Sequence, residues 1–294
     1  MSIPPVLCLD GLSDIGNRRQ NNEDAWWIGQ LGGACSFMEP GPAALRVQLA
    51  QAPALLLVSD GVGGANAGEV ASQMTVSQIS TELIPQAAAL RDRTTILAAI
   101  RATLDSTNQA VTAKAAEPGF DGMGATLSLL CIAADAHAYW GQAGDSRIYL
   151  CRHGRLQQIS HDHSPIGRMR QNGKLTEAEA RSHPLRNQID QSLGDPNARF
   201  SPDTGIVSFQ AGDIFLLCSD GLSDGLWDRE IEEVLGRLRT PDDVRPVVQE
   251  LIAKAKAASG RDNITAVLAL VEAGPASVSA VANVTSRWRK WLGW

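Results

Sequence analysis

Short apolar runs that end in Gly- or Asp-rich turns recur along the chain, at residues 6–9, 54–58, 126–133, 136–140, 147–151, 214–218 and 264–271. Runs of this length between turn-forming residues predict strands of a sandwich or mixed sheet. Between the second and third runs the period changes. Val70, Met74, Ile79 and Leu83, then Ile96, Ile100, Leu104 and Val111, recur at helical spacing on either side of Pro85. Proline lacks the amide donor and clashes with the turn before it, so residues 67–116 are predicted as a pair of helices. A second helical block covers 228–238 and 241–258, with Thr240 placed as N-cap and Pro241 in the first turn. Strands, two helices, more strands, two helices and a last strand give an α+β order. No repeat, low-complexity block or linker-like break interrupts it, so residues 1–272 are expected to form one domain. Residues 273–294 turn to small side chains and then to RWRKWLGW, and read as a basic, tryptophan-rich tail. A helix there would gather Trp288, Trp291 and Trp294 on one side, near Arg287, Arg289 and Lys290, and the blander reading, preferred here, is a helix or strand end packing on the body.

Composition removes several classes of function. With 294 residues, 44% of them hydrophobic and 20% charged, the chain is ordinary for a globular protein, and disorder or collagen-like structure is a poor reading. Its 26 basic residues against 32 acidic ones give a formal charge of −6, with no overall positive field to hold a phosphate backbone. A nucleic-acid partner is therefore not expected. Cys8, Cys35, Cys131, Cys151 and Cys218 are odd in number and contain no C-x-x-C pair, which argues against a disulfide framework and a thiolate zinc site and suits a reducing compartment. The start, MSIPPVLCLDGLSD, lacks the basic and apolar regions of a signal peptide, and no stretch reaches 18 apolar residues. A cytoplasmic protein without a membrane span is expected.

Acidic residues then stand out at four places, each in a turn beside an apolar strand. Asp60 follows LLLVS, Asp220 follows FLLCS, Asp262 precedes NITAVLAL, and Glu23 and Asp24 precede AWWIG. One Asp-Gly is ordinary turn chemistry. Carboxylates that converge at strand ends, however, repel one another, and each one buried unpaired costs several kcal/mol, so they take up protons or bind cations. Oxygen donors without His or Cys suit Mg²⁺ or Mn²⁺. DGVGG lacks the G-K-[ST] ending of a P-loop and the G-x-G-x-x-G spacing of a dinucleotide site, which removes a nucleotide reading.

The ordered series RRQNNEDA, SDGVGG, DGMGAT, GDSR, SDGLSDG and GRDNITAV, spread from Asp14 to Leu270, resembles the metal-dependent PP2C (PPM) protein phosphatases of compact bacterial type. That resemblance implies a central sandwich of two antiparallel sheets flanked by helix pairs, in four α-β-β-α layers, with two Mn²⁺ or Mg²⁺ ions at one end and a weaker third. It implies that Asp60 bridges both metals, that the carbonyl of Gly61 binds one, and that Asp220 and Asp262 hold the other. Glu23 and Asp24 would act largely through water, Asp121 would hold the third ion together with Asp220, and Asp224 and Asn263 would position waters and ligands. Arg19, five residues before Asp24, would bind phosphate bidentately, in preference to its neighbour Arg18.

The implied reaction is hydrolysis of phosphoserine or phosphothreonine monoesters in proteins by a hydroxide activated between the two ions, opposing a Ser/Thr kinase and needing no protein nucleophile. Relatives outside bacteria carry a His where this chain has Val62, so the general acid is unassigned, with a metal-bound water the leading donor and His161 and His163 the nearest side-chain candidates. Residues 164–186 resemble the flap beside the active site, and Arg168, Arg170, Lys174, Arg181 and Arg186 could attract acidic sequence around a phosphosite. Two rivals are a non-hydrolysing binding module, which the retained carboxylates disfavour, and a two-metal nuclease or phosphodiesterase, which the acidic balance disfavours.

Overall fold

Alternation along the apolar runs sorts side chains onto two faces, and both faces are buried. In β1 (Val6–Asp14), Leu7 and Leu9 point one way and Cys8 the other; in β13 (Ile264–Glu272), Val267, Ala269 and Val271 oppose Ala266, Leu268 and Leu270. A sheet covered on both sides has little need of a polar alternate, which is why these strands read as continuous apolar runs. The computed structural model describes residues 5–32, 36–37, 43–63, 67–90, 92–196 and 199–272. The tail proposed for 273–294 lies outside the described residues.

One sheet runs β10 (Arg155–Gln158), β9 (Arg147–Arg152), β12 (Ile214–Cys218), β13, β1 and β4 (Leu45–Gln48). The other runs β11 (Asp203–Ser208), β8 (His137–Ala143), β7 (Leu127–Ile132), β5 (Ala54–Val62), β2 (Asp24–Gln30) and β3 (Ser36–Phe37), with the short β6 (Gly124–Ala125) paired to the end of β5. All pairings are antiparallel. The sheets face each other over Leu7, Leu9, Trp26, Ile28, Leu56, Val58, Leu130, Phe215, Leu217 and Val267. Helices α1 (Ala67–Leu83) and α2 (Arg93–Ala115) cover the second sheet through Val76, Ile79, Ile96, Ile100 and Leu104. Helices α5 (Asp220–Gly225), α6 (Asp228–Leu235) and α7 (Val244–Ala258) cover the first through Leu222, Ile231, Val248, Leu251 and Ile252. Two short helices, α3 (Pro165–Gln171) and α4 (Glu177–Ser182), occupy the flap segment.

The structure departs from the sequence expectations at three places. Asp60 stands within a strand instead of a turn, because β6 pairs Ala125 with Gly61 and Gly124 with Val62 and so prolongs β5 past it. Asp220 opens a helix rather than a turn. Pro241 begins a 3₁₀ turn over Pro241–Asp243, and α7 starts at Val244; Thr240 precedes the turn, but its hydroxyl and amide both donate to the Asp243 carboxylate, at 2.9 and 2.8 Å, instead of the hydroxyl accepting from a first-turn amide. The edge strands β4 and β11 escaped the pattern, being short and only half-buried. Among the described residues no helix is long and apolar enough to cross a membrane.

Candidate metal and phosphate site

Strand register carries the acidic positions to one end of the sandwich. Asp24 lies directly opposite Asp60 across β2 and β5. Directly opposed residues of antiparallel strands have Cβ atoms about 4.5–5.5 Å apart, close enough for two carboxylates to repel strongly. Asp14 pairs with Ile264 at the matching end of the other sheet, which places Asp262 just beyond it, and Cys218 pairs with Ala266, so the chain enters Asp220 there as well. The same end of β9 begins at Arg147, opposite Cys218, and brings in Asp145.

Burial and mutual repulsion dominate the electrostatics of this group. Asp60 is pushed well above the usual carboxylate range by burial and then by Asp24, Asp220, Asp145 and Asp262. Asp220 is raised in the same way, by burial and then by Asp145, Asp224, Asp262 and Asp24. Burial lifts Asp24 to about 6 against the opposing hydrogen bonds from the Thr265 and Ser219 hydroxyls, at 2.6 and 2.7 Å to its Oδ2. Asp145 is raised to about 6, by burial first and by Asp162 next. Glu23 is raised by burial as well.

Local contacts fix the backbone around these side chains. The Asp60 amide donates to the Thr126 hydroxyl at 3.0 Å, the Thr126 amide donates to the Asp60 carbonyl at 2.8 Å, and the Thr126 and Ser146 hydroxyls share a 2.6 Å hydrogen bond. Thr126 and Ser146 thereby tie the DGMGAT and GDSR segments to the strand that bears Asp60. Gly61 donates its amide to the Glu23 carbonyl at 3.0 Å, and a Cβ there would lie 2.0 Å from the Gly68 carbonyl oxygen, so the start of α1 can approach only a glycine. Gly221 is constrained likewise, with the Asn263 carbonyl 2.0 Å from where its Cβ would stand. Asn263 accepts from the Glu23 amide at 2.8 Å and donates to the carbonyls of Ile15 and Asn21 at 3.1 and 3.0 Å, clamping the loop that carries Arg19.

Arg19 reaches the carboxylates: its Nη2 donates to Asp262 at 2.7 Å and its Nη1 to Glu23 at 3.4 Å, with the side chain 46% exposed. Arg18 is exposed and has no side-chain partner among the described residues. The spacing that selected Arg19 thus selects the arginine that meets the acidic group.

The remaining expected residues sit elsewhere. Asp121 is exposed on the loop before β6 and lines a separate groove with Val62, Thr112 and Ser192; its charge is not among the principal ones acting on Asp220. His161 and His163 face Asp203 of β11, each with a ring nitrogen 3.3 Å from its carboxylate, and His163 also meets the Gln191 amide; neither touches the acidic cluster. Asp224 borders a small cavity of about 60 Å³ shared with Asp145, Asp220 and the flap residues Arg170 and Arg181.

Asp145, Thr126 and Ser146 carry weight that the sequence reading did not assign. The signal was present in the GDSR and DGMGAT motifs, but only the fold shows that Asp145 lies near Asp60 and Asp220 and that Thr126 and Ser146 bond to the strand bearing Asp60 and to each other. Beneath them a buried pair adds support. Arg147 donates to both oxygens of Asp162 at 2.7–3.1 Å and to the Tyr149 hydroxyl at 3.1 Å, and Tyr149 donates to Asp228, which also accepts from Arg170 of the flap.

The donor set fits hard divalent cations. It consists of oxygens alone, and Asp24 Oδ1 and Asp220 Oδ1 are buried without a hydrogen-bond partner. Among the described residues no three acidic, His or Cys side chains are drawn together closely enough to ligate one ion as they stand. Arg19 supplies the neutralising cation at Asp262 in this arrangement.

Comparison with known proteins gives the architecture and this acidic end a family. The protein phosphatase 2C model matches residues 43–269. A serine/threonine phosphatase of Listeria monocytogenes is 35% identical over 215 residues, covering 73% of this chain and 83% of the relative. The solved serine/threonine phosphatase of S. agalactiae superposes with a TM-score of 0.75 at 32% identity, over 90% of this chain and 100% of the other. The catalytic domain of the phosphatase PstP, solved in complex with two manganese ions, superposes with a TM-score of 0.70 at 32% identity, over 91% of this chain and 99% of the other. The chain belongs to the protein phosphatase 2C family, whose members are metal-dependent. It is an enzyme, a serine/threonine protein phosphatase of the bacterial type, and phosphorylated proteins are its substrates.

Proposed function

We propose that the chain hydrolyses phosphoserine and phosphothreonine monoesters at a dinuclear Mn²⁺ or Mg²⁺ centre, in the cytoplasm, in opposition to a Ser/Thr kinase. The observation that carries this reading is the cluster of Asp24, Asp60, Asp145, Asp220 and Asp262, buried at Asp24 and partly buried at the others, with two orphaned carboxylate oxygens and an arginine at its mouth. Asp60, Asp220 and Asp262, with the Gly61 carbonyl, would hold the two ions. Glu23 and Asp24 would act through water, Asp224 and Asn263 would position the ligands, and Asp121 with Asp220 would hold a weaker third ion. When bound, the ions supply charge neutralisation and a water acidic enough to attack phosphorus near neutral pH.

The protein's own groups do the rest. Arg19 presents a planar fork on a loop clamped by Asn263, and with Asp262 turned to a cation its two Nη groups are free to grip two phosphate oxygens and offset charge as the transition state spreads it. Thr126 and Ser146 keep Asp60 in register, and the hydroxyls of Ser219 and Thr265 hold Asp24 by one oxygen so that its other faces the cluster. Because His161 and His163 are committed to Asp203, protonation of the leaving serine or threonine oxygen falls to solvent at the site.

A phosphothreonine peptide assayed with Mn²⁺, with EDTA and as Asp60→Asn tests the proposal. Turnover with Mn²⁺ that falls at least about 100-fold in the other two arms is expected, since a lost two-metal centre removes several kcal/mol of transition-state stabilisation. Equal rates in all three would overturn it.

A further inference from the structure

The flap segment carries five basic residues that sequence alone treats as equivalent, and the structure separates them. Arg168 is paired with Asp190 and Arg170 with Asp228. Arg181 donates to Glu177 and to the carbonyls of Asp224 and Leu226, and its guanidinium lies 4.4 Å from the centre of the Trp227 ring. These three side chains hold the flap to the body. Lys174 is exposed and lines none of the clefts beside the acidic cluster. Arg186 differs: it is exposed, and its side chain has no hydrogen bond or ion pair among the described residues.

Arg186 lines a cleft of about 240 Å³ together with Arg261, which is likewise exposed and has no side-chain partner among the described residues. Gly221, Asp224 and Asp262 also line it, so the cleft adjoins the proposed metal site. Asp262 already has a cation in Arg19, and Arg181 at the same cleft has its own acidic partner in Glu177. Two guanidinium groups from distant parts of the chain therefore line one hollow, and neither is bonded to the acidic side chains that share it, Asp224 and Asp262. An arginine fork unpaired beside a substrate site suits a carboxylate or phosphate of the substrate, which it can bind through two parallel hydrogen bonds.

We propose that Arg186 and Arg261 form a second anion subsite, which selects phosphoproteins carrying another acidic side chain, a carboxylate or a second phosphate, close in sequence to the phosphoresidue being hydrolysed. The proposal rests on the phosphatase reading and adds a substrate class to it. Anchoring a flanking anion draws on binding remote from the reacting phosphorus, so it affects kcat/KM for peptides and leaves small phosphate esters unaffected.

The test compares an aryl phosphate with three phosphothreonine peptides, whose flanks are neutral, glutamate-bearing or phosphoserine-bearing at successive positions, on the wild type, Arg186→Ala and Arg186→Ala/Arg261→Gln. The wild type is expected to prefer one or more anionic-flank peptides by about tenfold in kcat/KM, or about 1.4 kcal/mol. The preference should shrink in 0.5 M salt, as an exposed ionic contact does. Arg186→Ala should remove most of it and the double variant all of it, with aryl phosphate turnover within twofold of wild type. Equal use of neutral and anionic peptides by the wild type, or a preference untouched by Arg186→Ala, would overturn the subsite while aryl phosphate turnover left the phosphatase reading standing. Absence of metal-dependent turnover on every substrate would instead overturn the reading beneath it. The glutamate and phosphoserine arms decide which anion is preferred.

Discussion

Arg19 illustrates how one residue serves two electrostatic tasks. In the structure its guanidinium neutralises Asp262 and Glu23, and with cations bound the same fork faces substrate phosphate. Replacing it removes charge-assisted hydrogen bonds worth about 1.5–3 kcal/mol each. Arg19→Ala is therefore expected to lower kcat/KM for a phosphopeptide about 10- to 100-fold, with Mn²⁺ affinity by titration calorimetry changed little. Collapse of metal affinity would assign Arg19 to the metal site's architecture instead. The carboxylates give a pH signature of their own. Asp24 and Asp145, raised to about 6, keep their protons in the folded state at pH values where the unfolded chain has lost them. Unfolding then releases protons, so stability in EDTA is expected to fall as pH rises from about 4 through about 6. Thermal melts in EDTA should show Tm decreasing by several degrees over that window, and saturating Mn²⁺, which displaces the protons, should remove the decrease. A Tm that rises with pH in EDTA would contradict the proposed burial of these groups.

Among the elements, the flap shows which ion pairs matter. Arg147 and Asp162 are 16% and 7% exposed, whereas Arg168 and Asp190 are 54% and 35% exposed. Removing one partner of a buried pair strands the other charge and costs about 3–5 kcal/mol, whereas an exposed pair contributes about 0–1 kcal/mol. Asp162→Ala should lower Tm by roughly 6 °C or more and Arg168→Ala by under about 2 °C in thermal melts, taking about 2 °C per kcal/mol for a chain of this size. Similar effects from the two would refute the ranking. The reason lies in where the pair sits: Arg147 starts β9 beside Asp145 and reaches Tyr149, and Tyr149 shares Asp228 with Arg170 of α3. The flap is thereby braced against the strand that delivers an acidic group to the site.

Viewed as a whole molecule, the sandwich was legible in the chain because most of its strands are buried on both faces. The runs that became β5, β7, β12 and β13 are apolar almost throughout, and the helix pair around Pro85 follows from one breaker between two periodic stretches. What stayed hidden depends on pairing across long sequence separations. Asp60 reads as a turn residue until β6 extends its strand, and Asp145 reads as one polar residue of a short motif until Arg147 is seen opposite Cys218. The contrast between Arg186 and Arg168 was equally invisible, since it depends on Asp190 being folded against one and no acid against the other. Acidic positions beside strands were readable one at a time, and their convergence belongs to the register of two sheets.

That convergence is the central claim, and diffraction tests it most directly. Crystals grown with Mn²⁺ and measured at the manganese absorption edge should show two strong anomalous peaks, about 3.5–4 Å apart, bounded by Asp60, Asp220, Asp262 and the Gly61 carbonyl, with Arg19 released from Asp262. No anomalous density among these carboxylates at saturating manganese, with Arg19 still bonded to Asp262, would contradict it.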